Sequence, residues 1–384
     1  MRIFIAKSVN TTNDELTQSK QSLIEKFREI DKENFVSENP NIILFISGGS
    51  EHNVAEHINA EKRYCFLASK KNNSWAAATE VKAFCNEKGV KTKIFDIDTL
   101  ASVDVLKKYF EPKFLNQRKS RLGLIGDPSQ WIVTGMPDEE ILQDVLDIET
   151  VKIESEKILN NNDSIPDKDL IKAFQNNLNT DIEENAKLLS TFNQIIEEYS
   201  LDAIALDCYK LIREKNITAC LPFSFLNSEG FPAICEGDLC SAATMIVCQR
   251  LIGVVPWMAN LIHVDNEFAS FAHCTVPLNM PEEYKTVKHF ESGLQTSIKG
   301  TFSKQQITVF RIDSKLETCF IALGTIHDSD IEENTCGTSI KVKLSSKSLF
   351  LINEQPLGNH HLIVQGNQTD IFAEYFCEKG FRIT

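Results

Sequence analysis

The chain has 384 residues, of which 42% are hydrophobic and 24% charged, and a formal net charge of -14. That length calls for two or three compact units, and the composition excludes wholesale disorder and fibrous or repeat architectures. So acidic a surface, with no cluster of Lys and Arg interleaved with aromatics, excludes nucleic acid as a partner.

In chain order, the segment Met1 to Lys7 has only a short apolar run, too brief for the core of an export signal. Short β-rich runs then alternate with amphipathic helical patterns: Ile3 to Ala6, Ile42 to Ile46, Tyr64 to Leu67, Lys93 to Phe95 and Leu122 to Ile125. This alternation predicts a parallel sheet with crossover helices. One helix is expected over Ser74 to Lys88, entered behind Asn-Ser and closed by Gly89. The basic run Lys113 to Arg121 reads as a solvated loop before a strand. Around Gly126 to Trp131 a strand gives way to a loop, which in an open parallel sheet lies at the carboxyl edge where ligands bind.

A second α/β unit follows, with strands over Thr150 to Glu154 and Asp202 to Asp207 and polar helices between Lys168 and Tyr199. The tract from Asn160 to Asp163 reads as a loop. The apolar run Leu251 to Ile262 is too short to span a membrane and belongs to a core. From about Glu291 the pattern turns to β runs, Gln306 to Arg311, Cys319 to Thr325, Ile340 to Lys343 and His361 to Val364, expected to form an antiparallel sheet or small barrel. The expected fold is therefore α/β: two doubly wound, Rossmann-like parallel-sheet domains at 1–150 and 151–290, then a β-barrel-like domain at 291–384.

The 11 cysteines are an odd number with no CxxC pair, and most sit in apolar runs. They read as small buried hydrophobes in a reducing, cytoplasmic setting, not as a disulfide scaffold or a zinc ribbon.

Polar, metal-capable residues stand where burial is expected in three places: Glu236 and Asp238 in Ala233 to Asp238, His273 in Phe271 to Cys274, and His360 and His361 after Gly358-Asn359. Asp238 reads foremost as the N-cap of a helix over Leu239 to Arg250, whereas Glu236 fits a cap or a chemical role equally. A lone buried histidine such as His273 is more often a hydrogen-bonded structural residue than a ligand. On a strand, His360 and His361 point to opposite faces, so at most one serves a shared site. Trp257 reads as core, Trp131 as core or as an exposed stacking face, and Asn227 and Glu229 as part of a turn.

The stretch Ala233-Ile234-Cys235-Glu236-Gly237-Asp238-Leu239-Cys240-Ser241-Ala242-Ala243-Thr244-Met245 resembles the glutamate-bearing strand-to-helix motif of the L-fucose and L-arabinose isomerases. Ala272-His273-Cys274 and Asn359-His360 are similar to that family's later histidine motifs. Gly48-Gly49-Ser50-Glu51-His52 and Ile125 to Trp131 resemble its stand-alone members, without fixing a role for Glu51 or His52. The resemblance implies an aldose-ketose isomerase acting on a monosaccharide through a cis-enediol, with a divalent metal, usually Mn2+, and a symmetric homo-oligomer, a trimer or hexamer. It implies Glu236 as metal ligand and acid/base, His273 and His360 as ligands with His361 the alternative to His360, and Asn359 and Trp131 at the sugar. The family's second carboxylate falls on Asn260, which offers a neutral ligand oxygen but cannot carry a proton. That departure leaves three expectations: Asp238, Asp265 or Glu267 substitutes, metal-bound water carries the proton, or the protein binds sugar without turning it over.

Overall fold

The computed structural model describes residues 1–60, 62–110, 118–160, 164–175, 182–294, 296–329 and 337–384. The basic run beginning at Lys113 and the Asn160 to Asp163 tract lie largely outside these residues. The chain divides into two compact units, Met1–Leu115 and Asn116–Thr384.

The first unit is built on four parallel strands in sequential order, β1 (Ile3–Ala6), β2 (Ile42–Phe45), β3 (Arg63–Ala68) and β4 (Lys91–Asp96). β2 is buried along its whole length, as a strand covered by helices on both faces must be. The expected helix is present as Ser74–Glu87, and it buries Ala77, Ala78, Val81 and Cys85 along one face. Gly89 beyond its end takes the left-handed conformation that stops it. His52 is exposed and stands 3.7 Å from Glu56, the C-cap of its helix.

The second unit opens with another four-stranded parallel sheet: β5 (Ser120–Ile125), β6 (Ile148–Ile153), β7 (Ala203–Leu206) and β8 (Ala233–Ile234), in the order β6-β5-β7-β8. The strand expected over Leu122 to Ile125 thus belongs to the second sheet. The order reverses at β5, so the loops leaving β5 and β8 share the carboxyl edge of a sheet with a switch point. They are joined there by Ser129 N–H donating to the Glu236 carbonyl at 2.9 Å.

Helix Leu239–Ile252 leaves that edge and is buried on every face for most of its length, because it packs on the sheet through β5, β7 and β8 and on later strands with its other side. It ends at Gly253, φ 75°, which splits the apolar run beginning at Leu251. Pro256 follows, and β9 (Trp257–Val264) and β10 (Phe268–His273) begin the antiparallel part well before Glu291. β11 (Glu283–Val287) and β12 (Ser297–Thr301) form a separate hairpin. β9 and β10 close with β13 (Gln306–Ile312), β14 (Thr318–Ser329), β15 (Thr338–Lys343) and β16 (His360–Gln365) into a six-stranded barrel, ordered β13-β16-β9-β10-β15-β14 and sealed by β13 on β14. Pairing every edge strand with another removes the open edge a flat sheet would expose.

Candidate metal centre

Three elements converge at the end of the buried helix. After β8 the chain makes a single turn over Cys235–Gly237 in which Glu236, φ 65°, adopts the left-handed conformation that non-glycine residues avoid. Gly237 follows at φ 67°, where an added Cβ would stand 2.8 Å from the Pro128 backbone. The Asn227 side chain clamps the strand entering this turn, donating to the Ala233 carbonyl at 3.0 Å and accepting from its N–H at 2.8 Å. The strained turn carries the Glu236 carboxylate inward, and only 9% of the residue is exposed.

β10 ends at His273 and β16 begins at His360, both buried, and both rings turn their Nε2 atoms to the same carboxylate oxygen. Glu236 Oε1 lies 3.7 Å from His360 Nε2 and 4.0 Å from His273 Nε2. These separations exceed a hydrogen bond. Donors bonded to one ion at 2.0–2.2 Å stand roughly 2.8–3.6 Å apart, from octahedral to tetrahedral angles. The three ligand atoms lie within 4.8 Å of one another, so a small contraction around an ion satisfies all of them. The donor set of one carboxylate and two imidazoles fits a divalent metal.

Each of these groups is held from behind. His360 Nδ1 lies 2.8 Å from Asp238 Oδ2, which fixes the ring and leaves Nε2 to the centre. His273 Nδ1 meets Thr275 Oγ1 at 2.8 Å and the Thr275 N–H at 3.2 Å. Glu236 Oε2 accepts from the indole N–H of Trp131 at 2.5 Å. Trp131 itself is half exposed and packs edge-on to Tyr209 at 4.5 Å.

Asp238 is the expected cap, accepting from Ser241 N–H at 2.9 Å, and is also the histidine's partner. Burial alone would raise its pKa, but His360 and the Arg311 guanidinium 3.6 Å away hold the carboxyl well below its usual range. Burial likewise acts to raise the Glu236 pKa, and the His360, His273 and Trp131 contacts overcome it and lower it. Arg311 also donates to the His360 carbonyl, and Gly358 makes room for it, since a Cβ there would overlap the guanidinium.

Asn260 lines the cavity in front of Glu236 and His273, and its Oδ1 accepts from Asn359 Nδ2 at 2.7 Å. Asn359 Oδ1 in turn accepts from the Leu261 N–H at 3.1 Å. His361 faces the other way, against Phe271 and Phe320, as strand alternation requires. Asp265 accepts from Glu267 and Phe268 N–H groups at the far turn of the β9-β10 hairpin, roughly 16 Å of strand from Asn260. Neither Asp265 nor Glu267 is therefore placed to replace a carboxylate at Asn260. The cavity is 20 Å3, far too small for a sugar ring. Its remaining wall includes Tyr209, His289 and Glu291, which no sequence motif singled out.

No family model matches the chain. It is similar to the sulfoquinovose isomerase of Alkalicoccus urumqiensis, 22% identical over 204 residues that make up 50% of this chain and 46% of that protein. The likeness thus spans about half the length of that relative. At this identity and coverage the likeness is a distant one. Among the described residues no helix is long and apolar enough to cross a membrane.

Proposed function

We propose that this chain is a metal-dependent, sugar-isomerase-like protein that interconverts an aldose and a ketose. One observation carries the reading: Glu236, His273 and His360 converge in the interior behind a small cavity, in a chain distantly similar to a sugar isomerase. Glu236, His273 and His360, with the amide oxygen of Asn260, would hold the ion, Mn2+ in this reading. When bound, the ion supplies positive charge that polarises neighbouring sugar oxygens and acidifies the proton on the adjoining carbon.

Glu236 moves that proton. Its lowered pKa keeps it ionised, the Trp131 N–H orients the carboxylate through Oε2, and the group would take the proton from one carbon and return it to the next by way of the cis-enediol. Trp131, bonded to Glu236, and Asn359, bonded to Asn260, are both exposed and would meet the monosaccharide, which is too large for the cavity. The same reading includes a homo-oligomer, a trimer or hexamer, in a cytoplasmic setting.

A second reading is a homologue that binds sugar or metal without catalysis. It is favoured by Asn260, whose amide is clasped by Asn359 at the position where the resemblance places a second proton-carrying carboxylate.

The test is to strip the protein of metal, titrate Mn2+ while following Tm, and then screen aldoses, sulfoquinovose among them, for ketose formation. Binding to the folded state alone raises stability by about 2.7 kcal/mol at a hundredfold excess over Kd. The parent is expected to respond, and Glu236→Gln and His360→Ala to lose the response. No response of the parent to any divalent ion refutes the metal-dependent reading, and a response without ketose from any aldose leaves the second.

A further inference from the structure

The cavity has a second wall of different chemistry. Cys220, Cys274 and His289 are all buried, and one ligand atom from each lies within 4.8 Å of the others. They come from separate parts of the fold: Cys220 opens helix Cys220–Ser228, Cys274 follows the last residue of β10, and His289 follows β11. Local sequence does not bring them together, so their meeting is a property of the tertiary structure.

The imidazole is anchored through one nitrogen. His289 Nδ1 accepts from Ser292 N–H at 3.3 Å and lies 3.0 Å from Ser292 Oγ, which takes the Nδ1 proton in the tautomer that frees Nε2 for a metal. Nε2 is left on the side of Cys220 and of Glu291, whose carboxylate stands 3.5 Å away. Glu291 lines the same cavity and supplies a fourth donor in reach of the group. Behind the two thiols stand two more: Cys235 is in hydrogen-bonding reach of Cys274 and of Cys208. Such a concentration of sulfur around one imidazole exceeds what packing asks of cysteine as a small hydrophobe.

We propose that Cys220, Cys274 and His289 form a second metal site, for a soft divalent cation of the zinc class, distinct from the group around Glu236. Two sulfurs and one imidazole nitrogen, closed by Glu291 or water, make the tetrahedral set that Zn2+ takes and Mn2+ does not. On binding, each cysteine Sγ gives up its proton to solvent and the metal keeps its oxidation state. The two sites abut at the consecutive residues His273 and Cys274, with His273 Nδ1 3.6 Å from Cys274 Sγ. The soft ion would tie helix Cys220–Ser228 and the segment after β11 to the end of β10, and so brace the strand end that carries His273.

Cobalt substitution tests this without reference to catalysis. The full-length protein, reduced and stripped of metal, is titrated with Co2+ and its near-ultraviolet absorption recorded. Thiolate ligation gives an intense sulfur-to-cobalt charge-transfer band, and a site of carboxylate and imidazoles gives none. The parent and Glu236→Gln are expected to show the band, and Cys220→Ser and Cys274→Ser to lose it while keeping their Mn2+ response. X-ray absorption of the zinc-loaded parent, which needs no variant to fold, should show about two sulfur neighbours per sulfur-bound ion. Absence of the band in the parent, or its survival in both cysteine variants, overturns the proposal. Because Glu236→Gln removes only the neighbouring site, failure of the one site is read separately from failure of the other.

Discussion

The carboxylate of Asp238 caps helix Leu239–Ile252 with one oxygen and holds the ring of His360 with the other, across 122 residues of sequence. The helix terminus and the barrel strand are thereby fixed to each other at the point where the candidate ligands meet.

Replacing Asp238 by Asn keeps the cap's shape and removes the charge that faces His360 and Arg311. With both cations left in the interior, the loss of stability is expected at about 3–5 kcal/mol, read by urea denaturation of the metal-free protein. Affinity for Mn2+, followed by its quenching of tryptophan fluorescence, should fall by about 10–100-fold. An Asp238→Asn protein as stable as the parent and binding Mn2+ equally well would show that the pair carries no weight.

Trp131→Phe removes the N–H on Glu236 Oε2 while disturbing little else, because the ring is 51% exposed. Tm of the metal-free protein should move little. Trp131 bonds Glu236 directly, and Trp257 donates to the carbonyl of Thr275, the partner of His273, at 2.6 Å. The fluorescence response to Mn2+ should therefore fall in this variant to the part that Trp257 carries, while calorimetry still detects binding.

Asn260→Asp returns a carboxylate to the position that departs from the resemblance. The Asn359 amide donates equally well to a carboxylate, so the contact at 2.7 Å survives. Mn2+ should bind more tightly, and ketose formation, if slow in the parent, should accelerate. Slower turnover and weaker metal binding together would instead mean that the neutral amide suits this site.

Gly358 sits at φ 150°, with its absent Cβ in the space taken by Arg311. Gly358→Ala should cost about 1–3 kcal/mol by displacing the guanidinium, measured by thermal or urea unfolding. A neutral outcome would show that Arg311 has another place to go.

Nine of the ten described cysteines are buried and Cys377 is exposed. Burial pushes the Cys85 thiol up to about 11, and Cys220, Cys235 and Cys319 are also raised well above the ordinary range. Thiolate is the reactive form, so native protein labelled with an alkylating reagent at pH 8 should carry label at Cys377 and not at the buried ones. Mass spectrometry of digests reads the pattern directly.

The parallel sheets were legible in the sequence because apolar runs such as Ile42 to Phe45 and Tyr64 to Leu67 are short, continuous and separated by capped helices. The barrel's last four strands were legible by alternation. Its first two were not, since Leu251 to Ile262 is apolar throughout and period cannot divide a run that is helix before Gly253 and strand after Pro256. At the site, Glu236, His273 and His360 stood out as polar residues in apolar surroundings. His289, Glu291 and Arg311 did not, because no motif marks them, and only the fold buries His289 and Arg311 and brings Glu291 to the cavity wall. The double role of Asp238 was hidden for a similar reason: a cap is a local motif, and its histidine partner is not.

The contacts that build the candidate centre also set when it can exist. Trp131 reaches Glu236 over 105 residues and Asp238 reaches His360 over 122, whereas the helix and strands bearing them are made locally. Closing such long loops is slow, and it follows the local structure that makes it possible. The metal ligands should therefore be assembled late in folding, after the barrel has closed, and a chain interrupted before β16 would hold Glu236 and His273 but lack His360. Metal binding is in that sense a report that the last third of the chain has reached its place.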